Sequence, residues 1–321
     1  MIFEKMVLSR YRSKLLPRRE ADGIKHYFDR SDFPGLLCDE MSFLCDKGQR
    51  LMAYLYYKGE KRTDRLIMFD HGMGNGHASY MPEINVLCAH GYTVFTYDHT
   101  GTRASEGEGI GGFSQSLADL ERAVAFVRAM PEYKSADISV IGHSWGGFST
   151  MNIPSLYPDI KHAVAISGFI SPRAIQNQVL GGLLKLYRKA VFECERQALS
   201  DYAHTDARET LKDTRTRVLI IHSRDDSVCR FENHFGELQK AVGNNENITF
   251  MAVDGKKHKP HYTLDALAYE SEFVRKMREK LRKNELSTDE EKASFQTSYD
   301  WRRMTAQDMD VWNTIFDFLD K

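Results

Sequence analysis

Ile138-Ser-Val-Ile-Gly142-His143-Ser144-Trp145-Gly146-Gly147 decides how this chain is read. A short apolar run ends in Gly-x-Ser-x-Gly and continues into a helix-compatible segment, the layout of a strand, a sharp turn and a helix with serine at the apex. A serine held in so tight a turn needs neighbours without β-carbons, and Gly142 and Gly146 supply them. The turn lifts the Ser144 hydroxyl clear of a sheet and sets it before the first N–H groups of the next helix, donors suited to an oxyanion. A glycine-rich turn with an incidental serine would show the same five residues. The weight of the motif therefore depends on its surroundings.

Working outward, residues 40–170 alternate strand-like and helix-like segments. Met41–Cys45 and Arg50–Tyr57 read as an antiparallel hairpin around Asp46-Lys47-Gly48-Gln49. Leu66–Asp70, Tyr92–Tyr97, Ile138–Ile141 and His162–Ser167 read as short buried strands, and Val218–His222 and Ile248–Val253 as two more. Tyr80–His90, Ser116–Met130 and Trp145–Tyr157 are long enough for crossover helices; Leu117, Leu120, Val124 and Val127 recur at helical spacing. This alternation predicts an α/β fold with a mostly parallel sheet covered on both faces.

Three segments depart from the pattern. Residues 1–39 form a charged, partly helical N-terminal extension with no assigned role. Residues 169–214 read as a helical insertion at the sheet's ligand-binding edge, with Ile175, Val179, Leu183, Leu186 and Ala190 as its amphipathic face. Residues 278–309, rich in charge, read as solvated helix or loop. The terminal stretch Val311-Trp312-x-x-Ile315-Phe316-x-Phe318-Leu319 has helical spacing and is expected to pack on the core. The implied division is an extension at 1–39, a core at 40–168 and 215–321, and a cap at 169–214.

Composition narrows the function classes. At 321 residues, with 44 Lys and Arg against 45 Asp and Glu, the net charge is −1, which disfavours nucleic acid as a partner. The apolar runs are too short to span a bilayer, and the N-terminus lacks the uninterrupted apolar region of a secretory signal. Five cysteines without a C-x-x-C pair suit a reduced, cytoplasmic location. Oligomeric state is not legible.

A serine hydroxyl needs a base to take its proton, and the base needs a partner to hold its tautomer. Downstream of Ser144, Val218-Leu-Ile-Ile-His222-Ser-Arg-Asp225-Asp226-Ser-Val228 is a buried strand ending in an acidic loop. Ile248-Thr-Phe-Met-Ala-Val-Asp254-Gly255-Lys-Lys-His258 is another strand ending in a loop with histidine. In a parallel sheet both loops emerge at the edge that presents Ser144. Asp225 and Asp226 point different ways, so one meets the histidine while the other forms the turn. His261 is a weaker alternative base to His258. The turn after the first inner strand, Asp70-His71-Gly72-Met73-Gly74-Asn75-Gly76-His77, can present a backbone N–H to the anion that the Trp145 N–H faces. It matches neither G-x-G-x-x-G nor a P-loop, and Gly107-Glu-Gly109-Ile-Gly111-Gly112 reads as a mobile turn. His71, His77 and His99 match no zinc spacing and read as hydrogen-bonding histidines.

On these residues the chain resembles the α/β-hydrolase superfamily over roughly residues 40–265 plus the terminal helix. It is most like the monoacylglycerol-lipase or serine-aminopeptidase-like branch of esterases and lysophospholipases. The matching pieces are His71-Gly72-Met73-Gly74, Asp98-His99-Thr-Gly101-Thr-Arg103-Ala-Ser105-Glu106-Gly107, Gly142-His-Ser-Trp-Gly146, the loop at Asp226 and Gly255-Lys-Lys-His258. Arg103, Ser223 and Lys257 stand where the family pattern has glycine.

The resemblance implies a serine hydrolase acting through an acyl-enzyme on a small-molecule ester, with short or medium acyl groups or monoacylglycerol-like substrates. Ser144 would be the nucleophile, His258 the base, Asp226 the acid, and the Met73 and Trp145 N–H groups the oxyanion hole; no metal or organic cofactor is needed. Leu183, Leu184 and Tyr187 of the cap are candidates to contact the acyl chain. The same machinery cleaves peptides or thioesters, and the same fold without chemistry can serve as a scaffold.

Overall fold

Eight strands hydrogen-bond into one sheet, and the inner ones are short, apolar and rich in β-branched or aromatic residues. The computed structural model describes residues 16–321 together with Met6, Leu8, Ser9, Tyr11 and Ser13. Its strands are β1 (Leu36–Leu44), β2 (Arg50–Lys58), β3 (Arg65–Asp70), β4 (Thr93–Tyr97), β5 (Asp137–His143), β6 (His162–Ile166), β7 (Arg217–Ser223) and β8 (Ile248–Val253). Their spatial order is β1-β2-β4-β3-β5-β6-β7-β8. β2 pairs antiparallel with β1 and β4, and β4-β3-β5-β6-β7-β8 are all parallel. β1 starts at Leu36, ahead of the Met41 start expected from sequence.

The two-residue period of a strand explains why both faces are buried. Along β3, Leu66 and Met68 face one apolar cluster, while Ile67 and Phe69 face another. Helices α1 (Met81–Ala89), α2 (Gln115–Ala129) and α3 (Trp145–Asn152) are the crossovers. α2 presents Leu117, Leu120, Val124 and Val127 to the first cluster. Each such side chain, fully buried, contributes about 1.5–3 kcal/mol. On the opposite face, α1 lies with the terminal helix, whose Val311, Trp312, Ile315 and Phe316 join the second cluster. The terminal helix therefore packs on the core as its spacing predicts.

Residues 169–214 hold α4 (Pro172–Val179), a 3-10 turn at Gly182–Tyr187, α5 (Arg188–Ala198) and the short α6 (Ala207–Thr210), and α7 (Phe235–Val242) then joins β7 to β8. The single amphipathic face expected here does not form. Ile175 is buried, but Val179, Leu183 and Leu186 are exposed, the last two by 88% and 81%. The cause is local: Gly181-Gly182 follows α4, Gly182 adopts φ +56°, and the 3-10 turn resets the helical phase. Leu180 and Val191 join Ile175 in the core instead.

Residues 278–309 also differ from the solvated segment expected. α8 (Leu264–Arg282), α9 (Asp289–Thr297) and α10 (Trp301–Met304) gather Phe273, Leu286, Phe295 and Met304 around Ile24 of the N-terminal segment. The charges lie outside. A capping box between Thr288 and Glu291 starts α9. The glycine-rich turn at 107–112 is pinned rather than free. Pro17 bridges Gly109, and Arg18 donates to the carbonyls of Ser105 and Gly107 at 2.8 and 3.0 Å. A β-carbon on Gly109 would lie 2.4 Å from the Leu16 carbonyl oxygen.

Candidate active site

Ser144 sits between β5 and α3 with φ +58° and ψ −108°, and its N–H donates to the Ile166 carbonyl at 2.8 Å. Such a backbone is strained for any residue with a side chain. The flanking glycines are needed: a β-carbon at Gly142 would fall 2.2 Å from the Gly146 carbonyl oxygen, and one at Gly146 2.0 Å from that of Asp70. Trp145 opens the helix, so its N–H has no partner one turn back.

The loops after β7 and β8 meet at Ser144. Asp226 Oδ1 accepts the N–H groups of Val228 and Cys229 at 2.8 and 2.9 Å, which fixes the carboxylate. Oδ2 lies 2.7 Å from His258 Nδ1 and 3.2 Å from His222 Nε2. His258 Nε2 is 2.9 Å from Ser144 Oγ. A carboxylate only accepts, so His258 Nδ1 carries the proton and the Nε2 lone pair faces the serine hydroxyl. Burial pushes the Asp226 carboxyl upward, but hydrogen bonds from His222 and His258 outweigh it and hold the group well below the ordinary carboxylate range.

The alternatives sit elsewhere. Asp225 accepts from Ser223 Oγ at 2.5 Å and from the Lys257 N–H at 3.1 Å, bracing the two loops together. His261 is buried, with Nε2 3.1 Å from Glu83 Oε1. Ser223, in a glycine's usual place, also accepts the Lys256 N–H at 3.1 Å. Lys257 and Arg103, the other two departures from the family pattern, adopt positive φ, +50° and +42°, a region that glycine enters without a β-carbon penalty.

A second set of contacts had no sequence signature. The Gly72 N–H donates to Tyr80 Oη at 3.0 Å, and Tyr80 Oη is 2.8 Å from His143 Nδ1. His143 Nε2 is 2.7 Å from the His258 carbonyl. The carbonyl can only accept, so Nε2 carries the proton and Nδ1 accepts from the tyrosine. Burial, then His258 and His261, keep the His143 imidazole neutral, with its pKa well below the ordinary 6.5. The chain thus ties the Met73 turn, the Ser144 turn and the His258 loop together. Gly72 fits tightly here, since a β-carbon would lie 2.3 Å from Tyr80 Oη.

Beneath the site, His99 lies 2.8 Å from Asp70 and 3.2 Å from Asp119. Burial alone would lower its pKa, but the two carboxylates raise it to about 9. His71 donates from Nδ1 to the Gly72 carbonyl at 2.7 Å and accepts the His99 N–H. His77 pairs with Asp98 at 2.8 Å. All three histidines are hydrogen-bonding groups.

Met73 is half-buried on the turn after β3. Leu183, Leu184 and Tyr187 lie on the 3-10 turn, with Leu183 exposed. None of the three lines the cavity of about 220 Å³ beside Met73 and His143 or the groove of about 950 Å³ beside His258. No helix among the described residues is long and apolar enough to cross a membrane.

Residues 61–209 match the family model described as serine aminopeptidase, S33. No curated protein matches the sequence significantly. Among solved structures, the esterase Pf2001 of Pyrococcus furiosus is similar with a TM-score of 0.59 at 19% identity, over 83% of this chain and 98% of that one. Est1E of Butyrivibrio proteoclasticus, solved with ferulic acid, gives a TM-score of 0.55 at 20% identity, over 74% and 98%. Acetyl xylan esterase 1 of a Thermoanaerobacterium species gives 0.52 at 18%, over 84% and 91%. At such identities the shared property is the fold, and the family match rests on residues that include β3 and the Ser144 turn. The chain has the α/β-hydrolase fold, and its residues 61–209 are similar to the serine aminopeptidase S33 family.

Proposed function

We propose that the protein is a serine hydrolase that cleaves carboxylic esters through an acyl-enzyme. The reading rests on one observation above all: His258 stands between Asp226 and Ser144, with Nδ1 2.7 Å from the carboxylate and Nε2 2.9 Å from the hydroxyl. In this account Ser144 Oγ attacks the ester carbonyl as His258 Nε2 takes its proton. Asp226 holds the imidazole and stabilises the imidazolium. The N–H groups of Met73 and Trp145 stabilise the tetrahedral oxyanion, each worth on the order of 10²–10³ in rate. His258 then hands its proton to the departing alkoxide. Water, deprotonated by the same nitrogen, attacks the acyl-enzyme and releases the acid with Ser144 restored.

In the same reading, residues 169–214 form a cap on the core at 40–168 and 215–321, with 1–39 as an extension. Their exposed Leu183 and Leu186 supply apolar surface for short or medium acyl groups. The S33 family match favours amide cleavage as the second reading. A panel of soluble esters, aminoacyl amides and thioesters tests both. The proposal expects the highest kcat/KM on esters; preference for aminoacyl amides would replace it with the peptidase reading.

A further inference from the structure

His258 also forms one wall of the groove of about 950 Å³, between the loop after β7 and one face of α8. Leu267, Ser271, Val274, Arg278 and Leu281 repeat at spacings of three and four, so α8 turns one continuous stripe toward it. The stripe is apolar as well as charged. Val228 and Leu281 along it remain 52% and 49% exposed.

The charges lining the groove are Lys257, Lys259, Arg275, Arg278 and Arg282 against Glu270. Lys259 is paired with Glu270 at 2.7 Å. Arg275 reaches Glu279 only at 3.9 Å, and Lys257 Nζ donates to the neutral Ser271 hydroxyl at 2.7 Å. Among the described residues no ion pair joins Arg278 or Arg282 to a carboxylate. In a chain whose net charge is −1, this positive excess is local. An ordinary solvated helix face intersperses both signs; here the acidic residues Glu272 and Glu279 of α8 lie off the groove.

The mechanism proposed above says which half of the ester passes here. His258 must hydrogen-bond the leaving oxygen to protonate it, so the alcohol half departs along the side His258 lines. We propose that this groove binds the alcohol half of the ester, and that the preferred alcohol carries an anionic group on an apolar body. The assignment rests on the esterase reading and adds its substrate class. Lys257, Arg275, Arg278 and Arg282 attract the anion, while Val228, Leu267, Val274 and Leu281 cover the apolar body.

The test compares the acetyl esters ω-acetoxyhexanoate and ω-acetoxyhexanamide, which share an acyl group and differ at the far end of the alcohol. The carboxylate ester is expected to have the larger kcat/KM by about tenfold at low ionic strength, with the ratio falling as salt screens the groove. Arg278→Glu with Arg282→Glu, both at exposed positions, should bring the ratio to one or below. A hemisuccinate of a neutral alcohol, with its carboxylate on the acyl side, should show no such dependence on the two arginines. Equal rates for the two acetyl esters, or a ratio untouched by the double substitution, overturns the groove assignment and leaves the esterase reading standing. Failure of every ester together with absence of phosphonate labelling at Ser144 overturns both.

Discussion

The His143 side chain donates from Nε2 to the backbone carbonyl of His258 at 2.7 Å, so the residue before Ser144 holds the loop that carries His258. Tyr80 completes the link to Gly72 and the Met73 turn. Tyr80→Phe removes the hydroxyl, leaving the Gly72 N–H and His143 Nδ1 without this partner. Displacing reacting groups by about 1 Å costs on the order of 10² in rate. We expect kcat to fall by about 10–100-fold with KM little changed, while slow phosphonate labelling persists. Unchanged kcat in a variant of normal stability would make the link merely structural.

Asp226 and Asp225 are neighbours in sequence with different duties. Asp226→Asn presents a donor where His258 needs an acceptor and is expected to cost about 10⁴ in kcat. Asp225→Asn weakens the brace to Ser223 and the Lys257 N–H and should act mainly on stability, by about 1 kcal/mol. Paired kinetics and denaturant melts check the ranking; the reverse order would reassign the acid.

Much of this site is legible in the sequence because its chemistry is local. The Ser144 turn demands glycines at fixed offsets, and Asp226 and His258 follow buried strands whose parallel pairing brings their loops to one edge. Tyr80 and His143 leave no such trace, since any tyrosine on a helix and any residue between Gly142 and Ser144 would read alike. The packing of Leu286, Phe295 and Met304 was obscured by the surrounding charge, although Thr288 and Glu291 carried the capping signal of α9. The broken face at Leu183 was hidden because periodicity assumes one continuous helix, which Gly181-Gly182 interrupts.

Stability should have both an acid and an alkaline limb. Burial keeps His71, His162 and His234 at about 3, 4 and 3, against 6.5 for an ordinary imidazole. Below pH 6.5 the unfolded chain takes up protons at these positions while the folded chain does not, so stability falls as the pH drops from 6.5 toward 4. His99 works in the opposite sense. Raised to about 9 by Asp70 and Asp119 against the effect of burial, it contributes stability that is complete below 6.5 and is lost as pH rises through 9. Urea midpoints across pH 4–10 should trace both limbs, and folded His99→Gln should lack the His99 share of the alkaline one. An alkaline limb identical in that variant would remove His99 as its source.

If the turn at Leu183 covers the acyl chain, kcat/KM should rise from acetyl toward octanoyl until the pocket is full. Each buried CH₂ contributes up to about 0.8 kcal/mol, roughly fourfold. Leu183 is 88% exposed, so Leu183→Ser should spare the fold and flatten this rise. A flat profile in the parent protein, unchanged by the substitution, would confine the segment to packing.

The proposed acyl-enzyme requires that Ser144 Oγ be the group that reacts covalently. Its most direct test is intact-protein and peptide mass spectrometry after reaction with a fluorophosphonate, comparing the parent chain with Ser144→Ala. One adduct is expected, mapped to the peptide containing Ser144, with no adduct in the variant and a parallel loss of ester turnover on the order of 10⁶. An adduct of equal yield in Ser144→Ala, or full labelling of the parent at another residue, would contradict it.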